Sequence, residues 1–164
     1  KLNWINSQYI KKMELTQLCK FIKKYWNEMG WESPSTEWDL KLTNLIQDSM
    51  ILLKDAIDQS KPFFILSQMK KEGEEFLESK KEVKDSLRYI LFYLKEANIT
   101  KVNKDNAREI INKITVNHSI KKGILMKSLR VAFFGCLSGP DLIQSWELFS
   151  ENKTDIPLIE RCII

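Results

Sequence analysis

The stretch LMKSLRVAFFGCLSGPDLIQSW, residues Leu125–Trp146, decides the fold. It begins as an apolar helix in which Leu129 and Phe133 face a core, stops at Gly135, and restarts at Gly139-Pro140. Gly135 lets the first helix close on a left-handed residue. Pro140 fits the first turn of the next helix, and Asp141 favours that helix's positive end. A negative side chain there repels a second anion, so a phosphate is not expected at that terminus. Pro140 and Leu142 can instead form an apolar wall.

One guanidinium interrupts the apolar run. Arg130 has Met126 and Phe134 four residues away on either side, and Lys127 and Phe133 three residues away. Its stem would lie along apolar surface with the head reaching out. Two roles remain open: a bond to nearby helix-terminal carbonyls, or a planar fork held toward a base edge or phosphate.

The helical pattern extends outward in both directions. Leu18, Phe21, Ile22 and Tyr25 follow i, i+3, i+4, i+7 spacing, with Thr16 a candidate cap and Gly30 a candidate stop. Ser33 with Pro34 predicts the start of a helix carrying Trp38, Leu42, Leu45 and Ile46 on one face. A further helix is expected over Met50–Ile57, followed by a break in periodicity at Pro62. Phe76, Val83, Leu87, Ile90, Leu91 and Leu94 predict one long amphipathic helix. Further helices are expected from about Lys104, over His118–Phe134, from Pro140 to Phe149, and over the last residues. Strand signals are weak, which gives an all-α fold. A division between two helical parts, 1–70 and 71–164, competes with one continuous bundle.

Composition narrows the function. The chain has 164 residues, 43% of them hydrophobic and 29% charged, a globular balance. Its net charge of +4 permits an anionic partner without requiring one. Cys19, Cys136 and Cys162 are too few and too scattered for a disulfide framework, and with His118 as the single histidine no zinc site is expected. A reducing compartment suits these cysteines. No apolar run can span a bilayer. The chain opens with Lys inside structured-looking sequence, which predicts a piece of a longer protein.

Catalytic patterns are missing. There is no glycine-rich phosphate loop and no nucleophile elbow, and the carboxylates of EGEEFLESKKEVKD interleave with lysines as on a solvated helix face. His118 reads as a surface or capping residue. An autonomous helical enzyme is therefore not expected, and no catalytic or metal-binding residue is assigned. Five tryptophans stand out; Trp26, Trp38 and Trp146 read as core, while Trp4 on an amphipathic opening helix could dock against whatever precedes it.

At these residues the sequence resembles a known family. LMKSLRVAFFGCLSGPDL is similar to the segment of bacterial-type glutamyl-tRNA synthetases that reads, loosely, PLRxALTGxxxGPxL. The opening KLNWINSQYI is similar to that family's KLxWxNxxYI, which follows the class I catalytic core. The two motifs occur in the right order and separation, so the resemblance covers essentially the whole chain.

It implies an all-helical, two-part anticodon-binding region that binds tRNA but does not catalyse, as a monomer with no DNA or membrane partner. The compartment implied is the cytoplasm or its organellar equivalent. The parent ligase would use ATP and Mg²⁺, whose HIGH- and KMSKS-type signatures lie outside this chain; no cofactor is implied for the chain itself. Arg130 matches an arginine that contacts anticodon nucleotides. Pro140 and Leu142 match residues packed around the first anticodon base, and Gly139 falls where some members have threonine. Lys127 and Lys122 would attract phosphates. Ser49 falls where members that accept only glutamate tRNAs tend to carry arginine, which implies relaxed selection extending to glutamine tRNA. The competing reading is a helical protein-interaction module with no RNA role.

Overall fold

The structure, a computed structural model, describes residues 2–164, with side chains from Asn6 onward. The expectation for the Trp4 side chain lies outside the described residues. Among the described residues there are ten helices and no strand. Contacts divide the chain into two compact units, one ending at Ile65 and one spanning Leu66–Ile164.

The first unit holds α1 (Leu2–Lys12), α2 (Leu15–Glu28), α3 (Thr36–Gln47) and α4 (Asp55–Phe64). Its core gathers Leu18, Ile22, Trp26, Trp38, Leu42, Ile46, Met50 and Phe63, all buried. Trp26 and Trp38 meet edge-on with ring centroids 6.5 Å apart, and Phe64 lies 5.1 Å and 5.2 Å from them. Gln47 reaches back to α1, where its buried amide donates to the carbonyls of Ile10 at 2.9 Å and Met13 at 3.0 Å. Those carbonyls belong to a helix end that cannot satisfy them internally.

Four local expectations are corrected here. The α2 cap position is Glu14, whose carboxylate accepts from the Thr16 hydroxyl at 2.6 Å. The α3 cap is Ser35 rather than Ser33, because its hydroxyl is the one that reaches the Trp38 N–H, at 3.2 Å. No helix covers Met50–Lys54: the Asp55 carboxylate accepts the N–H groups of Ile51 and Leu52 at 3.0 and 2.8 Å and holds a turn instead. Pro62 lies inside α4, near its end, where Phe63 is buried and Phe64 packs against the rings of Trp26, Trp31 and Trp38.

Among the described residues of this unit, one charge is buried. Asp39 is 1% exposed and pairs with Lys23 Nζ at 2.9 Å, while its Oδ1 has no partner. The hydrogen bond to Asp39 raises the Lys23 pKa above the ordinary lysine value. Lys23→Met should cost about 2–3 kcal/mol, below the 3–5 kcal/mol range for breaking a fully buried pair because Lys23 is partly in water. Urea unfolding checks this. The loss should shrink when Asp39→Asn is added, and full additivity would show that the pair contributes nothing.

The second unit holds α5 (Lys71–Ser79), α6 (Lys81–Glu96), α7 (Lys104–His118), α8 (Lys122–Phe134), α9 (Leu142–Glu151) and α10 (Asp155–Glu160). Helix α8 packs against each of the other five. Residues 66–70 join this unit through the Lys70 N–H, which donates to the Gly135 carbonyl at 2.9 Å. Arg161 closes it further, donating to the carbonyls of Ser67 and, at 2.9 Å, Ala132.

The expected long helix is two. Lys80 is extended (φ −149°, ψ 145°) between α5 and α6, and the Ser79 hydroxyl donates to the Phe76 carbonyl at 2.6 Å. In one continuous helix Leu77 and Val83 would differ by about 240° and could not share a face; the break lets both be buried. Trp26, Trp38 and Trp146 are core residues, as expected. His118 ends α7 exposed, with its ring stacked 3.7 Å from that of Tyr89.

Candidate functional site

Helix α8 is buried along Leu125, Ser128, Leu129 and Val131–Phe134. The charged side chains it leaves toward solvent are Lys122 and Lys127, with Arg130 half-buried at the margin. It ends as the sequence predicts. Gly135 is left-handed (φ +74°), and its N–H donates to the Val131 carbonyl at 2.8 Å.

The turn that follows is held from several sides. The Leu137 N–H donates to the Glu72 carboxylate at 3.1 Å. Gly139 sits at φ +156° over the Phe134 ring, where an added Cβ would come within 2.8 Å of Phe134 Cδ2. Helix α9 starts at Leu142 rather than Pro140, since Asp141 is its cap and accepts the Gln144 N–H at 2.9 Å. That bond occupies the helix terminus with a carboxylate, which repels a second anion there.

Arg130 spans this turn. Its Nη1 donates to the carbonyls of Gly139 at 3.1 Å and Pro140 at 2.8 Å. Its Nη2 and Nε make no hydrogen bond among the described residues, so one edge of the guanidinium stays available. The residue thus straps the turn and presents a planar donor edge beside it.

The structure brings Arg130, Lys127, Gly139 and Pro140 onto one region of the second unit. Leu142 follows in sequence, but it is 2% exposed and its side chain belongs to the core. The outward face of the turn is Ser138, Gly139 and Pro140. Ser49 belongs to the first unit, exposed after α3; its hydroxyl donates to the Ile46 carbonyl at 2.9 Å and to Gln59 Oε1. Gln59 Nε2 returns a bond to the Ser49 carbonyl at 3.1 Å, a clamp that sequence spacing did not reveal. Arg161 is a second guanidinium set in an apolar run, IPLIERCII, of the same character as the run around Arg130.

Among the described residues no group of three or more His, Cys, Asp or Glu could hold a metal ion. Burial raises the thiols of Cys19 and Cys162 above their ordinary pKa, which makes both poor nucleophiles. No helix among the described residues is long and apolar enough to cross a membrane. What the region offers is hydrogen-bond donors, positive charge and a rigid turn, the equipment of recognition.

Comparison with known proteins places this geometry. The model of the anticodon binding domain family matches residues 13–155. A glutamate–tRNA ligase of Prochlorococcus marinus subsp. pastoris is 96% identical over 162 residues, covering 99% of this chain and 34% of the relative. The glutamate–tRNA ligase of Prochlorococcus marinus strain NATL2A is 43% identical over 163 residues, with the same coverage. The chain therefore spans about a third of the length of the curated relatives it matches. A solved glutamate–tRNA ligase from Elizabethkingia meningosepticum, in complex with its amino acid, superposes with a TM-score of 0.87 over 98% of this chain and 31% of that one, at 22% identity. The corresponding synthetase from Elizabethkingia anophelis gives 0.78 at 21% identity, covering 98% and 30%. These two likenesses establish the fold.

Proposed function

Since the chain belongs to the anticodon binding domain family, we propose that it docks the anticodon loop of tRNA for a glutamate–tRNA ligase of which it forms one part. The observation that carries the reading is Arg130: tied to the Gly139 and Pro140 carbonyls on one edge, open on the other, with Lys127 exposed beside it.

Anticodon bases are unpaired, so their edges and faces are open to side chains. The open edge of Arg130 hydrogen-bonds a base or the backbone, and the strap to the turn keeps that edge from reorienting. Pro140 gives a van der Waals wall, and Leu142 supports it from the core. Lys122 and Lys127 add phosphate attraction that weakens with salt. Each of the two units serves as one anticodon-binding subdomain, and the protein acts in the cytoplasm.

Activation of glutamate with ATP and Mg²⁺, and its transfer to tRNA, belong to the whole ligase. Ser49, clamped by Gln59, presents a short neutral group at the position that the family resemblance assigns to arginine. Selection is accordingly relaxed, and the full-length ligase charges glutamine tRNA as well as glutamate tRNA.

Arg130→Ala should weaken binding of unmodified glutamate tRNA by about 1–3 kcal/mol. Arg130→Lys, which keeps the charge but loses the fork, should recover only part of it. Titration at two salt concentrations, with circular dichroism to count folded protein, checks this. Wild-type affinity in folded Arg130→Ala would make the arginine a structural strap alone. A chain that ignores tRNA at both salts would favour the protein-interaction reading.

A further inference from the structure

The structure assigns a positioning role to Arg161: it caps the C-terminal end of α8 and so holds the Arg130 turn in the form that meets RNA, without touching RNA itself; this rests on the RNA-binding reading above. Arg161 follows α10 directly, and its backbone is fixed there by the buried Leu158, Ile159 and Cys162. From that anchor the half-buried guanidinium reaches two places far apart in sequence, Ser67 and Ala132.

A helix leaves its last carbonyls without internal partners, and α8 ends just before the turn that Arg130 straps. The carbonyls at that end are met from outside the helix. Val131 accepts the Gly135 N–H at 2.8 Å, Ala132 accepts Arg161 Nη2 at 2.9 Å, and Phe133 accepts the Ser67 hydroxyl at 2.8 Å. The Gly135 carbonyl accepts the Lys70 N–H at 2.9 Å. Arg161 links these caps, because Nη1 donates to the Ser67 carbonyl and Nη2 to the Ser67 hydroxyl at 3.3 Å. Arg161, Ser67, Phe133 and Ala132 thus form one ring of hydrogen bonds, with the guanidinium charge at the negative end of α8.

Arg161 differs from Arg130 in what it leaves free. Its Nη1 and Nη2 both donate within the protein, and its Nε is buried without a partner, so it presents no edge comparable to that of Arg130. Its influence runs through the backbone instead. Ala132 stands two residues beyond Arg130 on α8, and the turn begins three residues later at Gly135. Removing the guanidinium orphans the Ala132 carbonyl and frees the Ser67 hydroxyl, so the last turn of α8 opens more often. RNA meets the closed form, and affinity falls with the fraction of molecules that hold it.

The test pairs hydrogen exchange with binding of the intact chain to a labelled anticodon stem-loop of glutamate tRNA, at a temperature where circular dichroism reports folded protein. Arg161→Ala should bind about fivefold more weakly, with the salt slope of wild type because no phosphate contact is lost. The amides of Gly135 and Lys70 should lose most of their protection while those of the first unit keep theirs. Arg161→Lys, which keeps the charge but loses the fork, should recover part of the affinity. Ser67→Ala should give the same pattern at smaller size and carries the test if Arg161→Ala does not fold. Since both act through one ring, the double variant should bind no worse than Arg161→Ala. Wild-type affinity in the folded variants, with Arg130→Ala still impaired, would overturn the positioning role and leave the RNA reading standing. A salt slope reduced by about one in Arg161→Ala would overturn it too, by making Arg161 a phosphate contact. So would weaker binding with the Gly135 and Lys70 amides protected as in wild type. A wild-type chain that ignores the stem-loop would overturn both readings.

Discussion

Trp146→Ala is expected to bring the second unit close to unfolding at room temperature. Trp146 is fully buried, its ring lies 6.1 Å from that of Phe133, and its indole N–H donates to Asp155 at 3.1 Å. Truncating a buried tryptophan costs about 3–5 kcal/mol through lost transfer energy and the cavity left behind. Removing the donor also strips a partner from the Asp155 carboxylate, which is only 5% exposed. The sum approaches the whole stability of an ordinary domain, about 5–15 kcal/mol. Trp146→Phe keeps most of the volume and should retain a cooperative transition. Urea unfolding monitored by circular dichroism distinguishes the two, and an intact midpoint in Trp146→Ala would contradict the packing described here.

Asp155 gives the same site a pH signature. Burial raises its pKa above the ordinary aspartate value, against the hydrogen bonds from Ile156, Trp146 and Ser150 that lower it. The folded state therefore holds this proton to higher pH than the unfolded chain does. Its contribution to stability is fully present below the ordinary aspartate pKa and is lost as pH rises through the folded value. Relative to Asp155→Asn, wild type should gain stability as pH falls from 7 toward 4. A constant difference across that range would contradict the burial of the carboxyl group.

Gly135→Ala carries the second large effect. At φ +74° an L side chain costs about 1–2 kcal/mol. The added Cβ would also press on the Gln68 carbonyl oxygen and lie 3.0 Å from its carbon and 3.1 Å from Met69 Cα. All three are backbone atoms, so none can rotate aside, and overpacking of this kind adds about 1–3 kcal/mol. The partner surface is equally tight: a Cβ on Gly73 would meet the Gly135 carbonyl. Gly30→Ala supplies the control, because Gly30 shares φ +74° but has nothing within 4 Å. It should cost only the conformational part. Because the Arg130 turn begins at Gly135, tRNA affinity should fall in Gly135→Ala and stay unchanged in Gly30→Ala. Equal destabilisation by the two substitutions would show that the close approach is not real.

Local chemistry carried much of this into the sequence. Periodicity of apolar residues reports helices, because side chains three and four apart meet regardless of what packs on them. Core positions for Trp26, Trp38 and Trp146 follow from the same spacing, and the end of α8 follows from one glycine. Arg130 was conspicuous because a guanidinium in an apolar run must find either carbonyls or solvent.

Only the tertiary structure decided which of those it found. The carbonyls of Gly139 and Pro140 lie nine and ten residues further along the chain, and only the folded turn brings them to the guanidinium. The break at Lys80, the burial of Leu142 and the backbone approach of Gly73 to Gly135 likewise depend on surfaces that meet only after folding. Helical spacing is a property of neighbours in sequence, whereas burial and alignment of donors are set by partners that lie up to 94 residues apart, as Ser67 and Arg161 do.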